Sequence, residues 1–262
     1  MFSFVQITDH HLPATEATLV RGYAPAHALR TTLAHIAAHQ AEADFLVSTG
    51  DLVDKGIAPE YATLRAMLGL AGPSPAPGPQ PAALLNGKPC YFLPGNHDPR
   101  AAFFRAMFPA EPGPPTAMNT AFTHKGIRFI TIDWGEANKA VATDEMLAHL
   151  ERELAPGQPS IILSHHQVVP IGIPRLDALL ADALPRFEAA ITGHPVLAIL
   201  SGHVHSTYES TLAGIPVLGL RSTHFSFAQA GDEWLYVLRP PHYRVVTVAG
   251  TTLTSEIVEV PL

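Results

Sequence analysis

The chain has 262 residues, of which 47% are hydrophobic and 15% are charged, and its formal net charge is −7. This composition is typical of a globular protein and excludes wholesale disorder, while the acidic balance without a run of Lys or Arg argues against a nucleic-acid polymer as partner. Cys90 is the only cysteine, which excludes an intrachain disulfide and a thiolate metal cluster. No stretch approaches about 18 apolar residues and the first residues lack signal-peptide features, so we expect no membrane span and a cytoplasmic location.

Short apolar runs alternate with helical patterns in the first half of the chain, and the last part is mostly strand. Apolar periodicity predicts helices over 26–43, 60–70 and 144–154, with Thr143 as the N-cap of the third. The predicted strands cover residues 2–7, 45–47, 90–93, 127–132, 161–163, 196–200, 216–220, 234–238, 243–248 and 253–258. This order favours a layered α/β fold in one domain, 1–262, and the Pro-rich segments 72–81 and 109–115 are predicted to be loops.

Side chains that can bind metal follow five of the predicted strands. These groups are Asp9-His10-His11, Asp51 with Asp54, Asn96-His97-Asp98, His165-His166, and His203 with His205. Ligands of α/β sheets bind beyond the carboxyl ends of the strands, so we expect the five groups to meet at one edge. Asp9 and His11 are two residues apart, as are the two later histidines, and an extended backbone places such pairs on the same side.

The ligand types indicate which cations would bind. Asp, Asn and His without sulfur suit Mn, Fe, Zn or Co, and about seven ligands fit two divalent cations rather than one. Two cations roughly 3.5–4 Å apart share a bridging hydroxide and polarise a phosphoryl oxygen. Hydrolysis of a phosphate ester is therefore the reaction class that the residues favour.

The order of these motifs resembles the calcineurin-like metallophosphoesterase superfamily over residues 9–205. The motifs are Asp9-x-His11, Gly50-Asp51-x-x-Asp54, Gly95-Asn96-His97-Asp98, His165 and Gly202-His203-x-His205. Within the superfamily they look most like bacterial class III cyclic-nucleotide phosphodiesterases and glycerophosphodiesterases. The resemblance implies a four-layer αββα sandwich with two mixed sheets, and hydrolysis of a small-molecule phosphodiester such as cyclic AMP or a glycerophosphodiester.

The resemblance also implies roles for individual residues. The first cation would be held by Asp9, His11, Asp51 and His205, and the second by Asp51, Asn96, His165 and His203. Asp51 would bridge the two cations, and His97 would contact the phosphate and assist the leaving group. Relatives often have His-His-Pro in the fourth motif, whereas Gln167 follows the two histidines here. His165 is the predicted ligand because it adjoins the strand end, and His166 is the reserve.

The remaining polar residues of the motifs have alternatives. His10 is expected either to support the ligands or face the substrate, or to be exposed to solvent. Asp54 is predicted to cap a helix or to hydrogen-bond behind the ligands, and Asp98 to orient His97 or to cap a helix near Pro99. Metal binding is the less favoured alternative for both carboxylates. His224 either lines the substrate pocket or belongs to an ordinary loop.

Other functions fit the same scaffold. A phosphomonoesterase, a protein phosphatase and a nuclease are the alternative enzymes, and a non-catalytic interaction module is a further alternative, disfavoured because every ligand position is present. The motif residues do not identify the substrate among these diesters, nor the metal that binds. The resemblance allows a homo-oligomer, since relatives often form dimers or larger assemblies.

Overall fold

The computed structural model describes residues 1–70, 77–108, 116–182, 184–230 and 233–261. The helices in this part of the chain are α1 (Pro25–His39), α2 (Ala58–Leu68), α3 (Arg100–Met107), α4 (Asp144–Leu154), α5 (Pro174–Asp177) and α6 (Leu184–Ile191). The strands are β1 (Phe2–Ile7), β2 (Phe45–Thr49), β3 (Gln80–Ala82), β4 (Lys88–Leu93), β5 (Ala121–His124), β6 (Ile127–Ile132), β7 (Ser160–Ser164), β8 (Val196–Ser201), β9 (Tyr208–Leu212), β10 (Ile215–Gly219), β11 (Phe225–Ala230), β12 (Glu233–Leu238), β13 (His242–Ala249) and β14 (Thr252–Glu259).

Two mixed sheets form the centre of the fold. The first has the order β14-β13-β1-β2-β4-β3, in which β1, β2 and β4 are parallel. The second has the order β5-β6-β7-β8-β10-β9, in which β6, β7, β8 and β10 are parallel. The strands β11 and β12 form a separate hairpin.

The two sheets pack face to face, and helices cover their outer faces. Phe4 and Phe45 of the first sheet stack with ring centroids 5.0 Å apart, and Phe129 of the second sheet meets Phe4 edge-on at 5.3 Å. Helices α1, α2 and α3 pack on the other face of the first sheet, and α4 and α6 pack on the second. The four-layer αββα sandwich is therefore confirmed. Strands buried on both faces are rich in apolar residues, which is why they read as short apolar runs.

Several predicted boundaries shift in the structure. Helix α1 ends at His39 instead of residue 43, because the backbone N–H of Asp44 donates to Ser3 O and the chain must turn into β2. Helix α4 begins after Thr143, whose hydroxyl accepts a hydrogen bond from the Met146 N–H, as predicted. The patterns missed α5, α6, β3, β5, β9 and β11, which are mostly short elements.

The Pro-rich segments lie only partly within the described residues. Residues 72–76 and the whole of 109–115 lie outside the described residues. The end of the first segment contributes to β3, where Pro81 sits at the edge of the sheet and needs no ladder donor. Among the described residues, no helix combines the length and the apolarity needed to cross a bilayer.

Candidate metal centre

The loops that follow the parallel strands of both sheets meet at one edge of the sandwich. The Asp9 N–H donates to Gly50 O, and the His11 N–H donates to Asp51 O. Within the second sheet, the Gly202 N–H donates to His165 O. Across the sheets, the His203 N–H donates to Asp9 Oδ2. These hydrogen bonds connect the loops after β1, β2, β7 and β8, so residues far apart in sequence share one site.

The structure brings the four residues predicted for the first cation together. Asp9, His11, Asp51 and His205 each offer a ligand atom, and these atoms lie within 4.8 Å of one another. His11 Nε2 is 3.0 Å from His205 Nε2 and 3.5 Å from Asp51 Oδ2. All four side chains are buried, and such a cluster of nitrogen and carboxylate oxygen atoms fits a divalent cation.

The residues predicted for the second cation lie beside the other oxygen of Asp51. His165 Nε2 is 3.4 Å from Asp51 Oδ1 and 3.1 Å from Asn96 Oδ1. The ring centroid of His203 is 5.1 Å from that of His165, and His203 Nε2 is buried without a hydrogen-bond partner among the described residues. A buried nitrogen left unpaired is unfavourable, so the donor set fits a second cation.

The ligands converge through left-handed turns, not through an extended strand. The φ angles are 53° at Asp9, 45° at His11, 49° at Asp51, 69° at His203 and 47° at His205. The side chains do meet, but the prediction that an extended backbone would place residues two apart on the same side is therefore wrong. A non-glycine residue in this region costs roughly 1–2 kcal/mol, and such residues cluster at functional sites.

Two glycines leave room for the carboxylates. A Cβ at Gly95 would clash with the carboxylate and backbone nitrogen of Asp51, and one at Gly202 would clash with Asp9 and the Thr8 hydroxyl. The absent side chains let the loops approach the ligands closely. The Thr8 hydroxyl and the His203 N–H donate to Asp9 Oδ2 at 2.7 and 3.0 Å, which fixes that carboxylate.

Opposite shifts in pKa link Asp51 and His165. Burial alone would raise the pKa of Asp51, but the positive charge and the hydrogen bond of His165 outweigh it and hold the pKa well below its usual range. Burial would lower the pKa of His165, but the charge of Asp51 raises it to about 9. Burial holds the pKa values of His11 and His203 well below the usual range, so these two imidazoles are neutral.

His97 lies on the cavity wall with one ring nitrogen fixed. Its Nδ1 donates to the backbone carbonyl of Asp54 at 2.6 Å, and its ring meets that of His11 edge-on at 4.6 Å. This tautomer leaves Nε2 to face other partners. The Asp54 carboxylate lies 3.9 Å from His11 Nδ1 and 3.6 Å from Arg21 Nη1, so it lies behind the ligands and does not cap a helix.

Asp98 does not contact His97 and does not cap α3. Its carboxylate accepts hydrogen bonds from the N–H groups of Leu52 and Gly95 and from the Tyr61 hydroxyl, at 2.9–3.0 Å. Both predictions for Asp98 are corrected, because the loop after β4 folds back on the loop after β2. Burial, followed by the charge of Asp51, raises the pKa of Asp98 to about 6.

Three further histidines surround the centre without lining the cavity. His10 is buried, not exposed, and its Nε2 lies 2.8 Å from the Ser48 hydroxyl. His166 donates Nε2–H to Ala137 O at 2.9 Å, which occupies that nitrogen, while its ring packs 4.4 Å from that of His203. His224 is buried and its Nδ1 lies 3.0 Å from the Ser222 hydroxyl, so the structure does not support a pocket-lining role.

Several residues that line the cavity were not predicted from the sequence. The cavity beside the ligands has a volume of about 280 Å³. Its lining includes Asn96, His97, Asn138, Arg21 and Tyr236. Asn138 and Tyr236 belong to no motif. Arg21 precedes Gly22, which indicates a turn but no function, so no local pattern identified these three residues.

The sequence of the chain is similar to those of proteins named as phosphodiesterases. It is 32% identical over 212 residues to the "Probable cyclic nucleotide phosphodiesterase" of Rhodococcus erythropolis, covering 77% of this chain and 64% of that protein. It is 30% identical over 171 residues to the glycerophosphodiester phosphodiesterase of Enterobacter lignolyticus, covering 62% and 56%. It is 26% identical to the 3′,5′-cyclic adenosine monophosphate phosphodiesterase of Escherichia coli, covering 97% and 88%. The matches to the first two relatives span less than two thirds of their length.

The fold is similar to that of a purple acid phosphatase from yellow lupin seeds. The superposition has a TM-score of 0.62 at 14% identity and covers 98% of this chain and 51% of that chain, so it bears on the fold alone. The sequence profile of the calcineurin-like phosphoesterases matches residues 2–207, which is most of the chain and includes all the clustered ligands. The chain therefore belongs to the calcineurin-like phosphoesterase family.

Proposed function

We propose that this protein is a metal-dependent phosphodiesterase that hydrolyses small-molecule phosphodiesters with two divalent cations. The observation that carries the proposal is the position of Asp51. Its Oδ2 faces the group with His11, and its Oδ1 faces the group with His165, on the wall of one cavity. A carboxylate with this arrangement suits a bridge between two cations. The names of the related proteins support the diester class.

The proposed roles follow the two groups of ligands. Asp9, His11, Asp51 and His205 hold one cation, and Asp51, Asn96, His165 and His203 hold the other. Bound cations of this kind polarise a phosphoryl oxygen and lower the pKa of water. Within the chain, the Asp54 carbonyl fixes the His97 tautomer, so that Nε2 can contact the phosphoryl group or pass a proton to the departing oxygen.

A 3′,5′-cyclic nucleotide such as cyclic AMP and a glycerophosphodiester are the two proposed substrates. Mn, Fe, Zn and Co all suit the ligands. A phosphomonoesterase, protein phosphatase or nuclease on the same scaffold is the alternative. Three statements remain predictions from the sequence: that the chain forms a single domain, that it is located in the cytoplasm, and that it forms a homo-oligomer.

A rate ratio tests the proposal. The Mn²⁺-loaded protein is assayed with bis-p-nitrophenyl phosphate and with p-nitrophenyl phosphate, and kcat/KM is compared. We expect the diester to react faster, and Asp51→Asn, which keeps the size of the side chain, to lose activity on both. If the monoester reacts faster, the proposed activity becomes that of a phosphomonoesterase. An active Asp51→Asn protein would contradict the bridging role of Asp51.

A further inference from the structure

The cavity that exposes the metal ligands also has a wall of flat side chains. Arg21, Phe225, Phe227 and Tyr236 line it together with His97 and Asp51. The aromatic members belong to the β11–β12 hairpin, which pairs with neither large sheet in the described part of the chain. None of the predicted metal ligands belongs to this hairpin, so its contribution to the cavity needs a separate explanation.

The backbone at Arg21 is unusual for an arginine. The Val20 N–H donates to Tyr23 O and the Tyr23 N–H donates to Val20 O, which closes a two-residue turn. The central residues have φ angles of 51° at Arg21 and 84° at Gly22, the geometry of a type I′ turn. Asn, Asp and Gly are favoured at the first of these positions, so an arginine there points to a role for its side chain.

The guanidinium of Arg21 is held against the hairpin. Its Cζ lies 5.5 Å from the ring centroid of Phe225 and 5.1 Å from that of Tyr236. Asp54 Oδ1 lies 3.6 Å from Arg21 Nη1, and the Tyr23 hydroxyl donates to Tyr236 O at 2.6 Å. These contacts fix the positions of the two flat groups.

Both flat groups still present surface to the cavity. The Arg21 side chain is 33% exposed and Tyr236 is 38% exposed. Planar heteroaromatic rings stack on guanidinium planes and on tyrosine rings, and this contact tolerates different ring types. A flexible glycerol arm has no flat surface to stack. A wall of flat groups therefore suits the ring-bearing type of the two proposed substrates.

We propose that Arg21 and Tyr236 are specificity-determining residues, which bind a planar ring carried on one arm of the phosphodiester while the metal centre holds the phosphate. The inference rests on the proposed function and adds a preference for ring-bearing esters over glycerol esters. In this proposal, the planar guanidinium group of Arg21 stacks on the ring, and its positive charge pairs with Asp54. A lysine at this position keeps the charge near Asp54 and removes the plane.

Calorimetry on the Mn²⁺-loaded protein tests the inference with adenosine 5′-monophosphate and ribose 5-phosphate, which differ only in the ring. We expect the ring to strengthen binding about tenfold or more, as stacking does elsewhere. Tyr236→Leu and Arg21→Lys should each reduce this preference at least about threefold while leaving the affinity for ribose 5-phosphate unchanged. Leu235→Ala is the matched control, since Leu235 neighbours Tyr236 on the same strand, is exposed and does not line the cavity.

The outcomes separate this inference from the proposed function. Equal affinities for the two compounds, undetectable binding of both, or a preference that survives in both variants would overturn the ring subsite. A preference unchanged in one variant removes that residue from it. If bis-p-nitrophenyl phosphate is not hydrolysed but the ring preference and its loss in the variants are found, the phosphodiesterase proposal fails and the ring subsite stands. Phosphate release from the two ligands would indicate monoester hydrolysis instead.

Discussion

Asn96 donates an amide hydrogen bond from Nδ2 to Asn138 Oδ1 over 2.9 Å. This contact turns the other end of the Asn96 amide, Oδ1, towards His165 Nε2 at 3.1 Å. Asn138 therefore lies outside the proposed ligand set but positions one of its proposed members, and residues of this kind commonly tune metal affinity.

Removing the positioning contact should weaken the second cation. Asn138→Ala is expected to lower kcat or metal affinity by roughly 10–100-fold, because the Asn96 amide can then rotate away from His165. Asn138→Asp keeps an acceptor for Nδ2 and serves as the control. Steady-state rates against Mn²⁺ concentration give both quantities. Wild-type values in Asn138→Ala would remove the positioning role.

Removing the ligand itself should have a larger effect. In Asn96→Ala the second cation loses an oxygen ligand, so we expect kcat to fall by orders of magnitude and bound Mn²⁺ to fall below two ions per chain. Metal analysis after dialysis checks the stoichiometry, and thermal unfolding checks the fold. Near wild-type turnover with full metal loading would show that Asn96 is not a ligand.

Metal binding should release one proton and strengthen with pH. His165 has a pKa of about 9, so it is protonated at neutral pH and must lose that proton to bind a cation. His11 and His203, whose pKa values are lowered by burial, are already neutral and release none. The apparent affinity for Mn²⁺ should rise by up to about tenfold per pH unit between pH 6 and 8 and level off near pH 9.

Calorimetric titrations in two buffers of different ionisation enthalpy measure that proton directly. An affinity that stays constant between pH 6 and 8, or a release of no proton, would contradict the link between Asp51 and His165. The same linkage makes activity fall on the acid side, where the ligand histidines compete with protons for the cations.

Two glycine variants separate a steric effect at the centre from backbone strain. Gly202→Ala puts a methyl group against the Asp9 carboxylate, so we expect metal binding and kcat to fall at least about 100-fold. Gly214→Ala meets open space but has a φ of 79°, so it should lower the free energy of unfolding by roughly 1–2 kcal/mol and leave kcat unchanged. Chemical denaturation and rate measurements on both proteins check this. Equal activity losses would mean that the Gly202 effect is not specific to the centre.

Much of the fold was predictable because local signals are strong in buried strands. The runs around Phe4 and Phe45 are mostly apolar, since one face of each strand meets the other sheet and the second face meets helices. Half-buried strands such as β9 (Tyr208–Leu212) lack an apolar run and were not predicted. The loop prediction for 109–115 lies outside the described residues.

The sequence alone determined the ligand types and their order along the chain, because Asp, Asn and His recur after successive apolar runs. It also predicted the layered fold, because residue burial leaves a local pattern. Only the tertiary structure decided how the predicted ligands meet, since the left-handed turns at Asp9 and His11 are held by hydrogen bonds to the loop after β2. It alone revealed Asn138, Arg21 and Tyr236, because no local pattern records which side chains from distant segments share the wall of one cavity.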